Sequence, residues 1–319
     1  MTTIARDRVA LNAIQWFNVK ADPADPDSED LWRLADPAFR EEYPGILRRI
    51  RETGFRAAML EVLDTQTLQD YARMVADAGL ELAPGYASIG LPEDHGLALE
   101  PGSAARAHWF DGVRRKAEES ASLGLDTVFL APEVGWGDAF ARTGRAVAVG
   151  ADFDAGRLDR QIALIGEAAE VLRAEGVRAG LHNHVGTWIE TEAEIEAVLA
   201  ALPPALLGAS FDVGHLEWAG IDAAAMLRRH ADRVLDLHVK DLDLAVARRT
   251  RETPTPYHAA TNAGLFLEPG LGDLDLDGIL DALPADFGGW IVIEVDRASM
   301  DPDESARVSW DWVERTFPA

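Results

Sequence analysis

Arg178-Ala-Gly-Leu-His-Asn-His184, Gly208-Ala-Ser-Phe-Asp-Val213, Val234-Leu-Asp-Leu-His-Val239 and Trp290-Ile-Val-Ile-Glu-Val295 are four short apolar runs, each closing on a histidine or a carboxylate. Apolar runs of this length read as strands buried on both faces. Stretches with apolar residues at helical spacing separate them, at 191–202, 222–230 and 276–283. Working toward the N-terminus adds strands at 9–16, 56–62, 80–86 and 127–131. Further helices fall at 37–53, 65–79, 103–124 and 154–176, and a last one at 301–316 closes the chain. Thr191 with Glu194 forms a capping-box pattern, and Gly79, Gly124 and Gly176 sit where helices should stop. Eight strand–helix alternations predict an α/β fold, a single (β/α)8 TIM barrel over residues 1–319. An open doubly wound sheet is the competing fold. No Gly-x-Gly-x-x-Gly follows the first strand, which disfavours its dinucleotide-binding form.

Composition narrows the function classes. The 319 residues carry a formal charge of -25, contain no cysteine and are 48% hydrophobic. Such acidity argues against nucleic acid, which demands clustered Lys and Arg. Without cysteine there is neither a disulfide framework nor a thiolate metal site. No apolar stretch reaches the ~20 residues of a membrane span. The first residues lack an apolar signal-peptide core, so the expectation is a cytoplasmic protein. A homo-oligomer is compatible with these features.

Long connections follow several strands, near 18–36, 87–102, 133–154 and 242–273. In a barrel they lie over the active face, where loops bind substrate. The Arg248, Arg249 and Arg251 cluster could bind a phosphate or a neighbouring subunit, and a solvated loop face is the simpler reading. Trp16, Trp136, Trp188 and Trp218 lie near strand ends, where flat apolar plates could face a sugar or cyclitol ring; core packing explains them equally well.

The strand ends carry the chemistry. Asp212, His238 and Glu294 close three successive strands, and a carboxylate in such an apolar run needs a cation or water. Together they predict a divalent metal site. His184, His215 and Lys240 would point at the substrate for hydrogen bonding or proton transfer. Glu61 and Glu133, ending the second and fourth strands, are further substrate-binding candidates.

Leu181-His-Asn-His-Val-Gly-Thr-Trp-Ile-Glu-Thr191, Phe211-Asp-Val-Gly-His-Leu-Glu-Trp-Ala-Gly220, Leu237-His-Val-Lys-Asp-Leu242 and Pro269-Gly-Leu-Gly-Asp-Leu-Asp275 leading to Glu294 resemble the xylose-isomerase-like barrel family of sugar phosphate isomerases, epimerases and dehydratases. Within it, the long insert after Lys240-Asp241 is similar to that of the inosose (2-keto-myo-inositol) dehydratases. The likeness covers roughly the C-terminal half. It implies a metal held by Asp212, His238 and Glu294. The fourth ligand is open: His182, Glu190 reaching back from the loop, Glu133, or water. Most family members supply a Glu where this chain has His182, and losing that carboxylate favours a dehydratase over a symmetric epimerase. Mn²⁺ is the first expectation, with Co²⁺, Mg²⁺ and Zn²⁺ compatible. The implied reaction runs through a metal-stabilised enediolate of a polyol, cyclitol or keto-sugar. His184 or Glu190 would serve as base and His215 or Lys240 as acid, while Glu61, Glu133, Trp188 and His182 would contact substrate. The alternatives are a metal-dependent sugar or ketose isomerase or epimerase, and a non-catalytic barrel subunit.

Overall fold

A computed structural model describes residues 4–20, 22, 24, 28, 30–135 and 140–319. Nine strands make one parallel sheet: β1 (Val9–Leu11), β2 (Ala57–Met59), β3 (Glu81–Ala83), β4 (Tyr86–Ile89), β5 (Thr127–Pro132), β6 (Arg178–Leu181), β7 (Leu207–Asp212), β8 (Val234–Val239) and β9 (Ile291–Ile293). Their order is β3-β2-β1-β9-β8-β7-β6-β5-β4, each neighbour parallel. The strands at the two ends of that order, β3 and β4, are consecutive in the chain. The sheet therefore curls into a TIM barrel whose ring closes through the chain itself.

The expected single strand over 80–86 is thus corrected to two halves, split at Pro84-Gly85. Proline offers no N–H to a ladder. At this break the pairing changes partner: Leu60 N donates to Ala83 O (3.0 Å), whereas Phe129 N donates to Gly85 O (3.0 Å). A Cβ on Gly85 would lie 2.7 Å from Leu60 O, so only glycine lets the chain cross here. The first strand is also shorter than 9–16. Asn12 caps a 3-10 turn, Ala13–Trp16, by accepting from Ile14 N.

Helices match the periodicity with local corrections. Pro37–Thr53, Leu68–Ala78, Ala155–Ala174 and Pro302–Thr316 fall where expected. The predicted 103–124 helix is two, Ala104–Trp109 and Asp111–Ser122, meeting at Phe110. The Thr191–Glu194 capping box forms and starts Glu192–Ala201. On the first long helix Ile46, Leu47 and Ile50 turn inward, and one large apolar layer fills the space between sheet and helices. Inside the barrel a smaller cluster, including Ala10, Met59, Phe129, Trp290 and Val292, plugs the floor. Gly180 belongs to this interior: a Cβ there would run into Ser210 Oγ.

Two connections expected as loops are structured. Asn18–Lys20 pairs antiparallel with Asp30–Trp32. The 242–273 segment holds helices Leu244–Glu252 and Tyr257–Asn262, and its ends meet as Asp241–Leu242 against Phe266–Leu267. Among the described residues no helix is long and apolar enough to cross a membrane.

Candidate active site

Side chains alternate across a strand, so one face of each run looks into the barrel. Past the floor plug, that alternation delivers Asn12, Glu61, Glu133, His182, His184, Asp212, His238, Lys240, Glu294 and Asp296 to the carboxyl ends of the strands. A cavity of about 750 Å³ opens above them, with Glu61, Glu133, His182, His184, Glu294 and Asp296 among its walls.

Lys240 organises the acidic side. Its Nζ, wholly buried, lies 2.7 Å from Asp212 Oδ2 and 2.7 Å from Glu294 Oε2, and also pairs with Asp296. Glu294 Oε2 is 3.1 Å from His238 Nδ1, and Oε1 accepts from Asn12 Nδ2. Asp212 is fixed by its surroundings. Its backbone N–H and C=O bond the Asn183 side chain (3.0 and 3.1 Å), and its Oδ1 accepts from His215 N (2.9 Å). Burial pushes the Asp212 carboxyl up to about 6, against the pull of Lys240. Burial acts the same way on Glu294 and Asp296, but their neighbours outweigh it. His238 and Lys240 hold Glu294 well below its ordinary range, and Lys240 leaves Asp296 at about 2. The Lys240 ammonium, despite desolvation, is held well above its usual value by the three carboxylates.

The imidazoles form a second layer. His182 packs edge-on to His238 (4.7 Å between centroids), and His184 lies over His215 (3.8 Å). Burial lowers the pKa of His182, His184 and His215, the last to about 3, so these rings are neutral. His184 Nδ1 is 2.7 Å from Val185 O and so carries the proton, which leaves Nε2 its lone pair. His215 Nδ1 accepts from Val185 N (3.4 Å), so its proton sits on Nε2, 3.7 Å from Asp296 Oδ1.

A metal fits this donor set. His182, Asp212 and His238 each present one ligand atom within 4.8 Å of the others, and Glu294 adjoins them; His184, His215 and Asp296 form a second such group. His238 Nε2 is buried without a hydrogen-bond partner while Nδ1 faces Glu294, an arrangement a metal would relieve. Mixed imidazole and carboxylate donors suit several divalent ions.

Two sequence candidates sit elsewhere. Glu190 clasps loops: Oε2 accepts from Gly186 N (2.8 Å) and Ala148 N (3.1 Å), and Oε1 from Gly150 N (2.8 Å). Its oxygens are thus spent on backbone rather than on the ring of ligands. Trp188 is sandwiched by the guanidinium groups of Arg142 (5.0 Å) and Arg157 (4.2 Å) and donates to Asp94 Oδ2 (2.8 Å). Glu61 and Glu133 do reach the cavity wall, paired with Lys116 Nζ (2.9 Å) and His95 Nε2 (2.6 Å). Of the other tryptophans, Trp16 donates to Asp303 (3.0 Å), Trp218 donates to Thr250 Oγ1 (2.9 Å), and Trp136 lies outside the described residues. Among the described residues, the tryptophan that lines the cavity is Trp32, together with Leu31. Arg251 is not a free loop charge: it bonds Trp218 O at the end of helix Val213–Trp218.

Residues 47–316 match the profile of the xylose isomerase-like TIM barrel family, and the chain belongs to that family. Its relatives include an inosose dehydratase of Lactiplantibacillus plantarum, 32% identical over 149 residues, 46% of this chain and 50% of that one. The rhizopine catabolism protein MocC of Rhizobium meliloti is 34% identical over 140 residues, 44% of this chain and 42% of the relative. The chain thus spans about half the length of the curated relatives it matches. Among solved structures, an L-ribulose 3-epimerase superposes with a TM-score of 0.64 at 17% identity, covering 97% of this chain and 93% of the other. An IolI protein with a bound zinc atom gives 0.63 at 14% identity, covering 98% and 99%. A Mycobacterium smegmatis barrel in complex with magnesium gives 0.62 at 15%, covering 97% and 95%. At such identities these structures speak for the fold.

Proposed function

We propose that this chain is a divalent-metal-dependent lyase that removes water from a keto-inositol or a related keto-sugar. The observation that carries the reading is the buried His182, Asp212 and His238 trio with Glu294 beside it, of which His182 and Glu294 border the cavity. The inosose dehydratase relatives supply the reaction class. Bound there, a divalent ion supplies Lewis-acid polarisation of the ketone, which acidifies the neighbouring carbon.

The chain's own groups do the rest. His184, neutral and with Nε2 unprotonated, takes the carbon-bound proton. Asp296, ionised and on the cavity wall, accepts hydrogen bonds from ring hydroxyls. Lys240 and His215 hold Asp296 in place, and the proton that His184 has taken passes to the departing hydroxyl, which leaves as water. Glu61 and Glu133, which also border the cavity, hold outer hydroxyls. Glu190 belongs to the scaffold, and a cytoplasmic setting suits the reaction.

Incubation with 2-keto-myo-inositol and a divalent metal, followed by mass spectrometry, tests the reading. A product lighter by one water is expected, and chelator, Asp212→Asn or Glu294→Gln should abolish it. Turnover in chelated protein would sink the metal; a product of unchanged mass would make the enzyme an isomerase or epimerase.

A further inference from the structure

We infer that the site takes a polyol-type ring bearing an apolar, preferably aromatic, substituent, and that the substituent seats against the strands Asn18–Lys20 and Asp30–Trp32. The inference rests on the proposed reading only for the polar end of the cavity. Glu294, Asp296, His182 and His184 are polar lining of that cavity; Ile14, Phe17, Leu31, Trp32 and Leu34, on or near the two strands, are apolar lining of the same cavity. About 750 Å³ lies within the range that holds drug-sized ligands, and a lone six-carbon ring would leave most of it to water. Leu31 and Trp32 are 50% and 43% exposed and both border this cavity, so part of its wall is apolar and open to solvent.

The surface is held ready. Arg33 N donates to Phe17 O (3.0 Å), and the Arg33 guanidinium lies over the Phe39 ring (4.6 Å) while pairing with Glu42 (2.7 Å). Asn18 Nδ2 donates to Asp296 O (3.1 Å), so these strands share an anchor with the acidic floor. A ligand touching both ends meets a pre-set geometry, which lowers the ordering cost of binding. A second copy of the chain is the rival cover for Leu31 and Trp32. A formal charge of -25 on each copy opposes that association.

The test measures affinity in matched pairs that differ in one substituent: phenyl and methyl β-glycosides of glucose, galactose and mannose, and O-phenyl and O-methyl myo-inositol. Titration calorimetry on the full chain, with metal and without turnover, reads the binding. The phenyl member of at least one pair should bind about ten-fold more tightly than its methyl partner. Leu31→Ala/Trp32→Ala should remove the gain, and Trp32→Phe should keep most of it. Equal affinity within every pair, no saturable binding by any phenyl compound, or a gain that survives the double variant would overturn the subsite. So would a wild-type dimer that the double variant dissolves without changing phenyl affinity. Turnover of unsubstituted keto-inositol is scored separately, so loss of the lyase reading and loss of the subsite are distinct results.

Discussion

Lys240 is the residue on which the site's stability turns. Three carboxylates surround a buried ammonium, and removing one partner from such a group leaves charge without compensation. Lys240→Met should lower the unfolding free energy by about 3–5 kcal/mol in metal-free protein. A divalent cation should restore part of that loss, because it supplies the missing positive charge. Chemical denaturation with and without chelator measures both, and an unchanged midpoint would show that Lys240 is not the counter-ion. The neighbouring imidazoles set the acid limb. His182, His184 and His215 have folded pKa values below the unfolded value near 6.5, with His215 at about 3. Below pH 6.5 the unfolded chain therefore binds more protons than the folded one. Stability is unaffected by these rings above that pH and falls as pH drops below about 6.5, by up to about 1.4 kcal/mol per unit for each ring, the His215 contribution continuing toward 3. Asp212, raised to about 6, works the other way between about 4 and 6 and offsets one of them. Denaturation midpoints of chelated protein across pH 4–7 should fall on the acid side, with a shallower slope in His215→Asn.

Loops after strands, rather than the strands themselves, separate scaffold from chemistry. Glu190 resembles a ligand in the sequence because it follows His182-Asn-His184 by a few residues. Nothing in the spacing shows that Ala148 and Gly150, some forty residues upstream, offer their N–H groups to it. Arg142 reinforces the same clasp, bonding Thr187 O (2.7 Å) and Glu194 (2.5 Å) across the two loops. Glu190→Ala leaves three backbone donors searching for partners and should cost about 2–3 kcal/mol. Metal stoichiometry should stay as in the wild type. Loss of turnover with an unaltered melting profile would instead return Glu190 to the chemistry. Trp32 shows the opposite lapse. It stands in an Asp- and Pro-rich segment that reads as a turn, and only the antiparallel pairing with Asn18–Lys20 brings Leu31 and Trp32 to the cavity's border. An apolar Leu-Trp pair inside an acidic loop was the available signal.

At the scale of the molecule, strand and helix alternation made the barrel legible. The C-terminal strand ends made Asp212, His238 and Glu294 legible, because an ionisable residue closing an apolar run must meet a cation, a polar partner or water. Asn12 and Lys116 were not legible, since each acquires its place only when distant strands close the ring. The seam at Pro84-Gly85 has a local signal, since proline and glycine interrupt a strand, but that its two halves pair with different neighbours emerges only when the ring closes. This seam should be the weakest part of the wall. Beside it lies a cavity of about 450 Å³ lined by Leu80, Leu82, Pro84, Leu123 and Leu125, so β3 has few contacts on one side. Amides of β3 should exchange with solvent well before those of β6, which is paired on both edges. Gly85→Ala sets a methyl 2.7 Å from Leu60 O, a backbone atom that cannot swing aside. Overpacking of this kind costs about 1–3 kcal/mol. Hydrogen exchange on the variant should show the loss spreading through β2, β3 and β4 while β7 and β8, which carry Asp212 and His238, keep their protection. Uniform loss around the ring would mean that the barrel opens as one unit and that the split strand is no weak point.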